Sequence, residues 1–174
     1  MTAARARLAA LLLGLALPAS AAGGEDLVAA LRGVLQEDHV DVRDPVWILP
    51  ASGFKVADVV GELARLLPGL SAPAAVEAEY MLGRIGPRAA AAAPALTERL
   101  ASSADLDVRY EAVRALGRIG PAARSAAGAI AAAALEPDPD MRAAAAEALG
   151  RVKPGGALSR EALKRLSPPY SLQQ

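Results

Sequence analysis

Apolar positions in this chain recur with the period of a helix, and the pattern they form itself recurs. Between Val108 and Gly120 the chain reads V-R-Y-E-A-V-R-A-L-G-R-I-G. Wound at about 100° per residue with Leu116 pointing inward, Val108, Ala112, Ala115 and Ile119 fall on one side of the core direction and Val113 on the other. Together they make one broad apolar face, with Tyr110, Glu111, Arg114 and Arg118 on the opposite arc, where they are predicted to meet solvent or a partner. Gly120 followed by Pro121 predicts the helix end, because glycine tolerates a left-handed backbone and proline cannot extend the hydrogen-bond ladder.

The same phrase stands at Met81-Leu82-Gly83-Arg84-Ile85-Gly86-Pro87, Ala115-Leu116-Gly117-Arg118-Ile119-Gly120-Pro121 and Ala148-Leu149-Gly150-Arg151-Val152-Lys153-Pro154, at spacings of 34 and 33 residues. Each inner helix of this kind is preceded by a second amphipathic stretch. Leu27, Val28, Leu31, Val34 and Leu35 set its pattern, Val59, Val60, Leu63, Leu66 and Leu67 repeat it, and Leu96, Ile130 and Leu163 continue the column. Self-similarity at this period predicts an all-α solenoid of about four helical-hairpin repeats. The repeats are expected over 53–86, 87–120 and 121–153, with a degenerate first unit before them and a closing helix over 156–166. Trp47 and Phe54 fit a plug for the N-terminal end, and an exposed Trp47 serving as a ligand anchor is the alternative. Alanine runs at 89–93, 131–134 and 143–146 suit helices that approach closely.

Repeats of this length occur in ankyrin and tetratricopeptide proteins, but the chain has neither the T-P-L-H turn of the first nor the spaced Trp, Gly and Tyr of the second. It resembles instead the short bacterial form of the HEAT repeat, the phycobilisome-lyase HEAT-like repeat. Asp138-Pro139-Asp140-Met141-Arg142 with Ala148 to Val152 is its best copy, and Asp105-Leu106-Asp107-Val108-Arg109 with Ala115 to Gly120 is the next. The resemblance covers about 25–166 and implies a scaffold or adaptor, or in a few relatives an enzyme. Arg109, about 20° from Leu116 on the wheel, is expected to be structural, paired with Asp107 or Asp140, and Arg142 and Arg43 likewise. Ser71-Ala72-Pro73-Ala74-Ala75 lacks the acids and the arginine, so a ladder of Asp and Arg is expected to break there.

The first residues change the picture of location. Arg5 and Arg7 precede an apolar run from Leu8 to Leu17, followed by Pro18-Ala19-Ser20-Ala21-Ala22, a pattern that predicts a signal peptide over 1–22. An ordinary first helix is the alternative. The expectation is a periplasmic or secreted protein with a repeat domain over 23–167, a flexible tail over 168–174, and no stable membrane span after cleavage. Loss of Arg5 and Arg7 would take the balance from 19 basic and 19 acidic residues to 17 and 19. That balance argues against nucleic-acid binding.

Candidate chemistry is sparse. The sequence contains no cysteine and one histidine, His39, which excludes disulfides and thiolate sites and leaves no histidine pair for a metal. The glycines of Gly83-Arg84-Ile85-Gly86 end a helix, whereas phosphate loops begin one. Ser102 and Ser103 have no histidine in reach of a triad. No cofactor or metal and no catalytic residue is predicted. The expected function is a monomeric protein-interaction module, with a bilin-lyase-like enzyme or enzyme subunit and a passive envelope element as alternatives. Its candidate partner-binding residues lie on the concave inner wall: Tyr80 and Arg84, then Tyr110, Glu111, Arg114 and Arg118, then Glu147 and Arg151. Ala143 and Ala144 replace Tyr110 and Glu111 in the last of these helices, which is expected to offer less contact.

Overall fold

The computed structural model describes residues 56–152. Outer helices α1 (Val56–Leu66), α3 (Ala93–Ser102) and α5 (Ala127–Ala133) alternate with inner helices α2 (Ala72–Ile85), α4 (Leu106–Ile119) and α6 (Pro139–Val152). Short 3-10 runs at Leu67–Gly69, Gly86–Ala92 and Gly120–Ala126 make the links inside and between hairpins, and no strand occurs among the described residues. This is the all-α solenoid expected from the repeat. The expected signal segment, Trp47, Phe54, His39, Arg43, the expected closing helix and the expected tail lie outside the described residues.

Local chemistry sets the helix limits. The Asp105 carboxylate accepts from the amides of Asp107 and Val108 at 2.9 and 3.1 Å and starts α4. Asp138 does the same for α6, accepting from Met141 N at 2.7 Å. These bonds satisfy amides that have no partner inside the helix. Ser71 makes no such side-chain bond at α2, where a proline in the first turn removes one of those amides. At the other end, Gly86 and Gly120 adopt φ of 65° and 73° with ψ near −136° and −139°. That is a mirror-image extended conformation open to glycine and strained for any residue with a Cβ.

Leu63, Leu96 and Ile130 are the buried column of the outer layer, and Leu82, Leu116 and Leu149 that of the inner layer. The wheel phase holds, since Val108, Ala112, Val113, Ala115, Leu116 and Ile119 are all fully buried. Inner helices make the most extensive contacts with one another, while α3 and α5 touch far less. The glycine of the repeated A-L-G phrase permits this. A Cβ on Gly117 would lie 2.9 Å from the Cα of Ala148, and one on Gly83 would lie 3.1 Å from that of Ala115.

Arg109 and Arg142 are structural, but not through the expected aspartates. Arg109 donates to the carbonyl of Leu100 in the last turn of α3 at 3.2 Å and pairs with Glu136 of the next repeat. Arg142 donates to the carbonyls of Glu136, at 3.1 Å, and of Pro137. Both arginines meet the carbonyl-rich turn leaving an outer helix, where a cation is favoured. Asp105 and Asp138 are occupied as helix caps and Asp107 and Asp140 face solvent, which leaves Glu136 to carry the link between repeats. Buried Ala75 occupies the equivalent place in the second unit, where the link was expected to be missing.

Candidate interaction surface

The inner helices present their polar arc as one connected surface. Tyr80 of α2 is 44% exposed, and its hydroxyl accepts from Arg84 Nη1 at 2.9 Å. The Arg84 guanidinium lies 5.8 Å from the centre of the Tyr80 ring, and that of Arg118, one helix along, lies 5.5 Å from it. Arg118 therefore reaches back across the helix interface. It does so over Gly83, since a Cβ there would sit 3.2 Å from Arg118 Cδ. One glycine thus both admits the neighbouring backbone and opens the track for an arginine.

Arg118 Nη1 also meets Glu111 Oε1 at 3.3 Å. Glu111 is only 7% exposed, a correction to its expected place on the solvent arc. A solenoid helix has neighbours on both flanks, so residues beside the polar arc are covered as well as those opposite it. Burial raises the Glu111 pKa above the usual carboxylate value, against the opposing pull of Arg114 and Arg118. Glu111 accordingly acts as the buried anchor of Arg118. Arg114 is exposed and lies 5.7 Å from the centre of the half-buried Tyr110 ring. Along α6, Glu147 and Arg151 form an exposed pair at 2.6 Å. The eight expected residues therefore line the inner layer from α2 to α6. Seven reach its surface to some degree, and Glu111 lies buried against Arg118.

A second acid lies deeper and was not singled out by the wheel. Glu79 is fully buried, with Arg99 Nε of α3 at 3.6 Å, too far for a hydrogen bond. Neither Glu79 oxygen has a hydrogen-bond partner among the described residues. Burial is the main cause that pushes its pKa up to about 8; Arg99 opposes the rise, and the charges of Glu111 and Asp105 add to it. The signal was present in the register, because Glu79 stands 34 residues before Val113, a core position.

Among the described residues no three His, Cys, Asp or Glu side chains are grouped to hold a metal ion. No helix there is long and apolar enough to cross a membrane. No curated protein matches the chain. The family model for HEAT repeats matches residues 63–150 and 93–170. With its repeated hairpins, its glycine-spaced inner layer and this match, the chain belongs to the HEAT-repeat family.

Proposed function

We propose that this protein is an exported, non-catalytic recognition module that docks a partner protein on its inner-helix face. HEAT repeats are in general protein-interaction modules, and the inner helices pack extensively on one another to make one continuous face, the layer that a solenoid commonly offers to partners. The observation that carries the reading is the row of preset aromatic and guanidinium groups, Tyr80 between Arg84 and Arg118 and Tyr110 beneath Arg114. These residue types dominate binding energy at protein interfaces, and holding them in place beforehand lowers the entropy cost of docking. The D-P-D turn and the A-L-G phrase support the short bacterial form of the repeat. Arg5, Arg7 and the apolar run ahead of Ala19-Ser20-Ala21 support export to the periplasm or beyond.

The test is recovery of the partner from the native envelope fraction, using tagged full-length protein and a variant with Tyr80, Tyr110 and Arg114 changed to alanine. The unaltered protein should retain a stoichiometric partner and the variant should lose it.

A further inference from the structure

Between α4 and α6 the inner face opens into a small, solvent-open cleft. Its small-residue lining is Gly117, Ala144 and Ala148, the first and last of which touch backbone to backbone. Arg114, Arg118, Arg151 and Glu147 line the rest. The cleft arises from two replacements along the repeat. Where α4 carries Tyr110 and Glu111, α6 carries Ala143 and Ala144, so nothing bulky stands above the small residues.

The same replacements unbalance the charge. Arg118 is matched by Glu111, seven residues before it. The residue seven before Arg151 is Ala144, and Arg151 turns instead to the solvent-exposed Glu147. Arg114 has no carboxylate within ion-pair distance among the described residues and rests on the Tyr110 ring. With Arg118 matched by Glu111, the guanidinium groups of Arg114 and Arg151 share the cleft with one carboxylate, that of Glu147. The excess is local, because residues 56–152 contain ten arginines, no lysine and twelve acids.

We propose that this cleft receives a carboxylate side chain from an acidic segment of the partner protein. The proposal rests on the inner face being the docking surface and names the chemistry recognised there. A planar carboxylate fits the fork of a guanidinium, and the small-residue lining accepts the methylene stem of an Asp or Glu. The excess of two acids over arginines in residues 56–152 opposes a long phosphate backbone more than a short acidic segment.

The test is fluorescence anisotropy of the full chain with a labelled, terminally blocked peptide of alternating glutamate and serine. Its glutamine counterpart and a labelled single-stranded DNA serve as comparison probes. The glutamate peptide should bind, the glutamine peptide should bind at least about tenfold more weakly, and Arg114→Gln with Arg151→Gln should weaken the glutamate peptide by about tenfold or more. Both side chains are exposed, so the double variant should melt like the parent. Equal binding of the glutamine peptide, indifference to the double variant, or tighter binding of the DNA would each overturn the carboxylate site. If that happens while the Tyr80, Tyr110 and Arg114 variant still loses the native partner, the docking face stands and only its chemistry is wrong. Loss of peptide binding on Arg88→Gln with Arg124→Gln, outside the inner helices, would overturn both.

Discussion

Gly117 and Ala148 bring α4 and α6 together at a point where no side chain fits between their backbones, a Cβ on Gly117 falling 2.9 Å from Ala148 Cα. Gly117→Ala should therefore force the two inner helices apart. Alanine gains up to about 1 kcal/mol in helix propensity, but overpacking against backbone costs about 1–3 kcal/mol, so the net change should be destabilising. Gly83→Ala meets Ala115 Cα at 3.1 Å and the movable Arg118 side chain, and should cost less. Urea denaturation of the two variants checks the order.

Leu116 and Arg114 are two residues apart on α4 and differ completely in environment, the first fully buried and the second exposed. Leu116→Ala should cost about 2–5 kcal/mol through lost burial and a cavity. Arg114→Ala removes a stacking contact over Tyr110 worth about 0.5–1 kcal/mol at an exposed site. Equal losses in denaturation midpoint would contradict the helix phase.

Glu79 should make stability depend on pH. Its pKa is raised from 4.5 to about 8 in the fold, so between those values the folded state holds a proton that the unfolded chain releases. Stability is then full below about pH 4.5 and falls as pH rises toward 8, by on the order of 1 kcal/mol per unit. Glu111, also raised, acts in the same direction. Glu79→Gln should flatten most of this slope, and Glu79→Val, which copies Val113, should flatten it equally. Thermal melts across the range, compared with the parent, read the effect.

The repeat was legible because three copies of one phrase reported the same helix phase, and Leu116 and its neighbours lie where that phase puts them. Glu79 and Glu111 were not legible from one wheel. A wheel has a core side and a solvent side, whereas α4 is flanked by α2 and α6 as well as backed by α3. The partner of Arg109 was missed for a related reason. Two aspartates of the turns are occupied as helix caps, and which acid remains for the arginine depends on backbone amides that a motif does not display.

The proposed export makes its own demand on the chain. Intact-mass and N-terminal analysis of the native protein should find a terminus after Ala21 or Ala22, and a bulk terminus at Met1 or Thr2 would contradict export.

The inner wall as a docking face is tested most directly by quantitative recovery of the native partner. Tyr80, Tyr110 and Arg114 changed together to alanine should keep the helix content, lower the melting temperature modestly because half-buried Tyr110 packs against the core, and abolish recovery. The exposed residues Arg88, Glu98 and Arg124, outside the inner helices, should be replaceable without effect. Retention of the partner by the first variant, or its loss from the second, would contradict the account.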